Sequence, residues 1–196
     1  MNDTSKYYQD NASSFYSATV EIDMSAIYQQ FLPLIPRGGS ILDAGCGSGR
    51  DALYFKSQAY NATAMDASAA LGKLASDLLE QHVHCIGFED ITWQQQFDGV
   101  WACASLLHVP KAKLASVLQR LAKSLKEGGV MYVSFKYGDS ERVKGGRAFT
   151  DMTEESFAEV LKSVPELSLK ASWVTADRRV GSDQDWLNVI LKATDC

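Results

Sequence analysis

The stretch Ser40-Ile-Leu-Asp43-Ala-Gly45-Cys46-Gly47-Ser-Gly49-Arg50-Asp51 decides the fold. Residues 40–44 are mostly apolar and predict a short strand, and the residues that follow Gly49 predict a helix. A strand, a glycine-rich turn and a helix form the first half of a βαβ unit. Glycine permits positive φ and close approach of a ligand, and such a turn is expected to present unpaired amides at the helix N-terminus. The stretch therefore predicts an α/β fold with a ligand site over the turn.

The spacing of the three glycines bears on the kind of ligand. In a dinucleotide-binding turn, the third glycine follows the second by three residues. Here Arg50 occupies that position, and the third glycine comes one residue early, at Gly49. A nucleoside with a short amino-acid tail needs no room for a pyrophosphate on the helix N-terminus. The spacing favours such a nucleoside, and a purely structural turn is the alternative.

An acidic residue ends the second predicted strand, which covers residues 62–66. Asp66 follows Gly45 by about 20 residues, where a βαβ unit places its ribose-binding carboxylate. A carboxylate can accept charge-assisted hydrogen bonds from both ribose hydroxyls. The alternative is an ordinary N-cap for the next helix. Because strand, glycine turn and acid occur in register, we favour ribose binding.

Composition limits the class of protein. The 196 residues are 46% hydrophobic, which predicts one globular domain over residues 1–196. A net charge of −5 argues against a nucleic-acid-binding face. The four cysteines form no C-x-x-C pair, which predicts neither a zinc site nor a disulfide framework and favours a reduced cytoplasmic location. No signal peptide or membrane-spanning run is evident, so no membrane is expected.

Residues 1–37 precede the first strand and predict a helical cap, with residues 38–196 as the α/β core. Tyr8, Phe15 and Tyr16 fit one face of a helix over residues 5–17. A second helix is expected from Asp23 or Ser25 to Leu34. Two such helices could cover a ligand at the carboxyl edge of the sheet and exclude water. Simple packing of these aromatic side chains on the domain is the alternative.

The rest of the chain alternates between predicted helices and strands. Residues 136–151 are highly charged and predict a long loop, and Gly128-Gly129 is expected to end the helix before the fifth strand. The last two strands are joined without a helix and should pair antiparallel. Further helices are predicted over residues 50–58 and 71–81, after Pro110 and after the N-cap Thr153, and further strands over residues 82–86, 98–104, 130–135, 167–176 and 185–193.

The pattern Asp43-x-Gly45-x-Gly47-x-Gly49, followed by Asp66, Asp90 and Phe97-Asp-Gly-Val-Trp, resembles the class I S-adenosylmethionine (SAM) methyltransferases. The resemblance extends from Ile41 onward. It implies a Rossmann-like seven-stranded sheet whose last strand is antiparallel, and SAM as the cofactor. Leu106-Leu107-His108-Val109 is similar to small-molecule methyltransferases of this class, some of them related to tellurite resistance.

The resemblance implies a role for each residue that matches the motif. Asp43 and the glycine turn would hold the methionyl end of SAM, Asp66 the ribose, and Asp90 with Ile91 the adenine. Backbone at Ser105 would pass under the sulfonium, and Tyr16 of the cap would close over the site. Arg50 could contact the ligand carboxylate or form a surface ion pair with Asp51 or Asp66. The cofactor-binding set predicted in this way is Asp43, Gly45, Cys46, Gly47, Gly49, Asp66, Ala67, Asp90, Ile91, Ser105 and Tyr16.

His108 is the candidate general base, needed only if the methyl acceptor carries a proton that must leave. A helix N-terminus would favour its neutral form. The alternative is that His108 caps or packs near Pro110. In the charged segment, Lys136 and Arg147 could contact an anionic acceptor, or the segment could be a solvated flap.

The leading hypothesis is methyl transfer from SAM to a small-molecule acceptor. A non-catalytic SAM-binding module and a methyltransferase acting on RNA or protein remain alternatives. The turn after the fourth predicted strand lacks the Asn/Asp-Pro-Pro-aromatic pattern of DNA amino-methyltransferases. Arg50 disfavours an NAD-dependent enzyme. His82 and His84 share a strand face, but without a third ligand nearby no metal is expected. The acceptor and the oligomeric state are left open.

Overall fold

The computed structural model describes residues 3–177 and 183–194. Helices and strands alternate through most of this part of the chain. The α-helices are α1 (Asp3–Asp10), α2 (Ala12–Thr19), α3 (Ser25–Phe31), α4 (Arg50–Ser57), α5 (Ala69–Leu79), α6 (Lys111–Ser124) and α7 (Glu154–Leu161). The strands are β1 (Ser40–Ala44), β2 (Asn61–Met65), β3 (Phe97–Ala102), β4 (Leu125–Lys136), β5 (Glu141–Lys144), β6 (Arg147–Thr150), β7 (Leu167–Ala176) and β8 (Asp185–Ala193).

The main sheet has six strands in the order β2-β1-β3-β4-β8-β7. Strands β1 to β4 are parallel, and β8 pairs antiparallel with both β4 and β7. The predicted Rossmann-like α/β fold with an antiparallel last strand is confirmed. The predicted count of seven strands is wrong, because residues 82–86 form only an isolated bridge between Met65 and His84. The amide of Ile86 bonds back to the His84 carbonyl at 3.1 Å, which turns the chain away from the sheet.

The charged segment 136–151 is not a loop. Strands β5 and β6 form a separate antiparallel hairpin within it. Gly145 and Gly146 join them with φ of +56° and +73°, the left-handed conformations that a two-residue hairpin turn requires. The high charge of the segment favours a loop, whereas its Gly145-Gly146 pair indicates the hairpin turn. The predicted end of a helix at Gly128-Gly129 is also wrong: α6 ends at Ser124, because Leu125 is extended and begins β4.

Helices α1, α2 and α3 precede the first strand. The predicted single helix over residues 5–17 is two helices that meet at Asn11. Helices α1 and α2 pack against α5, and α1 also packs against β6. Helix α3 instead contributes Ile27, Tyr28 and Phe31 to the core, against Phe55 and Trp101 of the sheet layer.

Apolar side chains fill both faces of the parallel strands, as expected for a sheet covered on two sides. Leu42, Val100 and Met131 belong to one buried cluster, together with α6 and α7. Their neighbours Ile41, Trp101 and Tyr132 belong to a second cluster, together with α3. This core fixes the strand ends, and therefore everything at the carboxyl edge of the sheet. Among the described residues, no helix is long and apolar enough to cross a membrane.

Cys46, Cys85 and Cys103 are free thiols. Cys196 and residues 178–182 of the segment that joins the last two strands lie outside the described residues.

Candidate functional site

A cavity of about 380 Å³ lies where β1, β2, β3 and β4 end at their carboxyl termini. In open α/β sheets this edge is where ligands bind. The glycine turn and Asp66 line one part of the cavity, and His108, Lys136 and Arg147 line another. Helices α1 and α2 and strand β6 complete its walls with Tyr8, Phe15, Phe149 and other side chains.

The glycine turn approaches the opposite walls of the cavity too closely for any side chain. Gly45 has φ of +83°, and a Cβ atom there would lie 2.5 Å from the Cβ of Ser105. A Cβ on Gly47 would lie 3.1 Å from the Phe15 ring. Gly49 has a different role, because its missing Cβ lets α4 approach Ala75 of α5. Gly45 and Gly47 therefore allow the turn to approach Ser105 and Phe15 closely, and Gly49 allows close helix packing.

The amides of the turn are mostly used within the protein, contrary to the expectation of free donors. The amides of Gly45 and Cys46 both donate to the Met65 carbonyl at 2.9 Å. The amide of Gly47 donates to Oδ2 of Asp66 at 2.9 Å, and that of Gly49 donates to the Cys46 carbonyl. The turn thus folds back onto the end of β2, and these four amides are already bonded within the protein.

Asp66 joins the glycine turn to the start of α5. Besides the Gly47 amide on Oδ2, its Oδ1 accepts the Ser68 amide at 2.8 Å. Burial raises the pKa of Asp66, and the two amides oppose that shift. The N-cap of α5 is Ser68, whose Oγ accepts from the Leu71 amide. Asp66 is therefore free of the capping role, and each of its oxygens keeps a lone pair for a ligand in the cavity.

Asp43 lies buried beneath the turn, outside the cavity lining. Its Oδ2 accepts the amide of Ala52 at 3.1 Å, which ties β1 to the first turn of α4. Burial raises the pKa of Asp43 well above its usual range, and the neighbouring Asp51 carboxylate adds to the effect. Asp43 therefore supports the glycine turn from the core side, through its hydrogen bond to α4.

Asp51 anchors α4 to the core through several donors. Arg50 donates to it from Nε at 2.6 Å and from its terminal nitrogen at 2.9 Å. Tyr28 donates its hydroxyl at 2.5 Å and Trp101 its indole N–H at 2.8 Å. The Arg50 and Asp51 side chains are only 18% and 8% exposed, so the expected ion pair exists but is not at the surface.

His108 lies between the cap and the hairpin. Its Nδ1 is 2.6 Å from the Ala148 carbonyl, and its Nε2 is 2.8 Å from the Tyr8 hydroxyl. A carbonyl can only accept, so in the neutral ring Nδ1 carries the proton and Nε2 accepts from Tyr8. The Ala148 amide in turn donates to Thr4 of α1 at 2.9 Å. Strand β6 and α1 together therefore fix the tautomer and the orientation of His108.

Burial lowers the pKa of His108 to about 4, and the positive charges of Arg147 and Lys136 contribute, while the bond to Ala148 opposes the shift. The ring is therefore neutral at physiological pH. The sequence expectation attributed the neutral form to a helix N-terminus; burial and two cations are the causes the structure gives. Burial also raises the pKa of the Tyr8 hydroxyl, which stays protonated.

Two further groups at the end of β3 shape the cavity wall. Ala104 has φ of +51°, a strained conformation for a residue with a side chain, and its amide donates to Ser134 Oγ at 2.8 Å. Burial raises the pKa of the Cys103 thiol to about 12, so this cysteine is a poor nucleophile. Strain held at a cavity wall by a specific hydrogen bond is typical of functional sites.

The cavity brings together some of the predicted site residues and not others. Gly45, Cys46, Gly47, Asp66, Ala67, Ser105, His108, Lys136 and Arg147 line it, whereas Asp43, Gly49, Asp90, Ile91 and Tyr16 do not. Asp90 is exposed and bonds the Gly87 amide at 3.3 Å, and Ile91 is buried in the core. Ile86 and Phe88, which precede Asp90 and Ile91 in the chain, line the cavity instead of them. Phe15 of α2 lines it instead of Tyr16.

Sequence reasoning did not identify Tyr8 and Phe149 as site residues. In the sequence, Tyr8 is one member of an aromatic helix face, and Phe149 lies in the charged segment that predicts a loop. The signal for Phe149 was the Gly145-Gly146 turn, which indicates a hairpin that must bury one face.

Residues 41–129 match a family model described as a methyltransferase domain. None of the curated proteins matches the chain significantly. Among solved structures, the 1,6-didemethyltoxoflavin-N1-methyltransferase of Burkholderia thailandensis has a TM-score of 0.77 at 23% identity, over 97% of this chain and 85% of that chain. It was solved with 1,6-didemethyltoxoflavin and S-adenosylhomocysteine.

Two other similar structures show how widely the fold is used. A TehB-like SAM-dependent methyltransferase from Corynebacterium glutamicum has a TM-score of 0.69 at 20% identity, over 97% of this chain and 98% of that chain. The [4+2]-cyclase SpnF has a TM-score of 0.74 at 15% identity, over 98% of this chain and 97% of that chain. At these identities the likeness establishes the fold alone.

The matched segment contains the glycine turn, Asp66, strands β2 and β3 and nearly all of β1. Residues 41–129 therefore form a methyltransferase domain, and its fold is one that SAM-dependent methyltransferases share. The S-adenosylhomocysteine bound to the toxoflavin methyltransferase supports SAM as the cofactor, and the cavity has features that suit such a group. Gly45 lines the cavity with backbone alone, and Asp66 lines it with a carboxylate.

Proposed function

We propose that this protein transfers the methyl group of SAM to a small-molecule acceptor held in the same cavity. The observation that carries the proposal is the continuity of the cavity, which runs from the glycine turn and Asp66 to His108 and Tyr8. Helices α1 and α2 contribute Tyr8 and Phe15 to the wall that faces Gly47, which favours a small acceptor over a macromolecular one. The bound small molecule of the toxoflavin methyltransferase supports the same class of acceptor.

In this proposal, Gly45, Cys46 and Gly47 accommodate the methionyl end of SAM, and the carboxylate of Asp66 accepts from the ribose. Asp43 and Gly49 support the turn from behind, because neither lines the cavity. The adenine would lie against Ile86 and Phe88, so the roles first expected of Asp90 and Ile91 become indirect. The cap of residues 1–37, the core of residues 38–196 and a cytoplasmic location also belong to the proposal.

When bound, SAM supplies an electrophilic methyl group on a sulfonium that leaves without acid catalysis. The protein must then orient the acceptor and, where the acceptor carries a proton that must leave, remove that proton. The Tyr8 oxygen is the atom through which a proton can reach His108: the acceptor's proton moves to Tyr8 Oη as the Tyr8 proton moves to Nε2. The resulting imidazolium donates to Tyr8 from Nε2 and to the Ala148 carbonyl from Nδ1, so both of its N–H groups are satisfied.

Replacement of Asp66 tests the donor half of the proposal. Asp66→Ala should weaken SAM binding by about 1–3 kcal/mol, because charge-assisted hydrogen bonds to the ribose are lost. Calorimetry with SAM and with NADH measures this effect and the cofactor preference together. Asp77→Ala removes an exposed acid of α5 and is the matched control. Unchanged SAM affinity in Asp66→Ala would count against the ribose role, and NADH binding without SAM binding would overturn the proposal.

A second candidate function is SAM binding without methyl transfer, because the similar structure of SpnF is described as a [4+2]-cyclase. The two candidates differ in one measurement. A methyltransferase converts SAM to S-adenosylhomocysteine when it is given a small-molecule extract of cells, whereas the second candidate binds SAM and forms none. S-adenosylhomocysteine formation only with the macromolecular fraction would favour an RNA or protein acceptor.

A further inference from the structure

The buried ring of Phe149 in β6 is surrounded by cations. Lys136 Nζ lies 4.2 Å from the ring centroid, and the Cζ atoms of Arg142 and Arg147 lie 5.1 and 5.3 Å from it. Arg142 is paired with Asp151 at 2.7 Å and does not line the cavity. Lys136 and Arg147 do line it, on the same side as His108. The cavity wall at Phe149 therefore carries two positive charges.

Arg147 has unused hydrogen-bonding capacity at this wall. Its Cζ lies 4.5 Å from the centroid of the Tyr7 ring, which orients the guanidinium by stacking. Its Nε atom is buried and has no hydrogen-bond partner among the described residues. A buried donor without a partner costs free energy, so its presence beside a cavity indicates a group that arrives with a ligand. The planar fork of arginine suits two oxygens of a carboxylate or phosphate.

Four acidic side chains line the cavity, Asp51, Asp66, Glu89 and Asp177, and all of them lie outside the hairpin. Asp51 is paired with Arg50, and Glu89 with Lys113. Asp66 accepts two backbone amides. Asp177 is not without a partner either. Arg147 therefore brings to the wall at Phe149 a positive charge that an anionic ligand would complement.

We propose that Arg147, together with Lys136, binds an oxyanion group of the methyl acceptor at the Phe149 wall of the cavity. The inference rests on the proposed function and names its substrate class: small molecules that carry a carboxylate or a phosphate. Binding there brings the acceptor beside the Tyr8–His108 pair. Three groups face His108: Tyr8 on α1, Lys136 on β4 and Arg147 on β6. A bound oxyanion offsets the two cations, so it makes His108 a stronger base only when the acceptor is present.

The test uses the full chain loaded with S-adenosylhomocysteine and three probes of similar size: benzoate, phenyl phosphate and neutral benzamide. Calorimetry measures the affinity of each probe, and NMR measures the pKa of the His108 ring. The variants are Arg147→Gln, Lys136→Gln and the control Lys144→Gln. Lys144 is exposed, lies opposite Arg147 in the hairpin and does not line the cavity. The control Lys144→Gln therefore removes one positive charge from the same hairpin without changing the cavity wall.

We expect benzoate or phenyl phosphate to bind at least tenfold more tightly than benzamide and to raise the pKa of His108. Which of the two binds distinguishes a carboxylate site from a phosphate site. Arg147→Gln should weaken that binding about tenfold or more, because charge-assisted hydrogen bonds are lost, and Lys144→Gln about twofold or less, because its charge is screened. If Arg147→Gln does not fold, the same loss in Lys136→Gln carries the test.

Three results would overturn the inference: benzamide binding as tightly as both oxyanions, equal losses in the site variants and Lys144→Gln, or no binding of either oxyanion to the loaded protein. Loading with S-adenosylhomocysteine is measured first. Failure at that step would overturn the proposed function, whereas normal loading followed by any of the three results would overturn only the oxyanion site.

Discussion

The two halves of the cavity are built in different ways. The donor half consists of the glycine turn and Asp66, which lie close together in the chain and are joined by backbone hydrogen bonds. The acceptor half joins Tyr8 to His108 across 100 residues, and His108 to Ala148 across 40 residues. Contacts within the first βαβ unit join the parts of the first half, whereas packing between distant segments joins the parts of the second. Substitutions should therefore affect the two halves separately, and each prediction below tests that separation.

The largest expected effect is on turnover in the acceptor half. His108→Gln should reduce the rate of S-adenosylhomocysteine formation with a small-molecule extract by about 10²–10⁴-fold, the usual contribution of a general base. SAM affinity, measured by calorimetry, should change little, because His108 lies in the other half. Tyr8→Phe keeps the ring and removes only the relay oxygen, so it should reduce the rate in the same direction. An unaltered rate in His108→Gln would remove it as the base, and a matching loss of SAM affinity would mean that the halves are not separate.

The next largest effect is on the stability of the donor half. Asp51→Asn should lower the free energy of unfolding by about 3–5 kcal/mol, because it leaves Arg50 without a charged partner in a buried position. Urea unfolding measures this change. Asp77→Asn is the control, since its pair with Lys73 is exposed and worth at most about 1 kcal/mol. Equal effects of the two substitutions would show that the Asp51 cluster does not hold α4 beneath the turn.

Gly45 is the point at which the glycine turn approaches the Ser105 side chain, just after β3. Gly45→Ala should lower the free energy of unfolding by about 3 kcal/mol, from left-handed strain and a clash with Ser105. Gly145→Ala is the matched control: its φ is +56°, but a Cβ there would meet nothing within 4 Å. It should cost only the strain, about 1 kcal/mol. Urea unfolding of both variants measures the difference, and equal losses would show that the turn does not need its close approach to Ser105.

The same division explains how much the sequence could predict. Asp66 follows from spacing, and strands β7 and β8 were predicted with the bounds the structure shows, residues 167–176 and 185–193, because these signals are local. The third predicted strand failed because one backbone bond at Ile86 decides whether residues 82–86 continue in the sheet. No local pattern indicates that Tyr8 reaches His108, since that contact depends on how α1 packs against β6 and α5.

The smallest expected effect concerns the pH dependence of stability, and it tests whether packing encloses the acceptor half as described. The pKa of His108 is about 4 in the folded protein and about 6.5 when exposed. Between these values the unfolded chain binds the extra proton, so acidification through that window favours unfolding, whereas at pH 7 the ring is neutral in both states. Wild type should lose about 1–2 kcal/mol more than His108→Gln between pH 7 and pH 5 in urea unfolding. The exposed His82, replaced by Gln, provides the control for loss of a histidine. If wild type and His108→Gln show the same pH dependence, the ring is not enclosed by α1 and the hairpin, and the acceptor half is not held together by long-range packing.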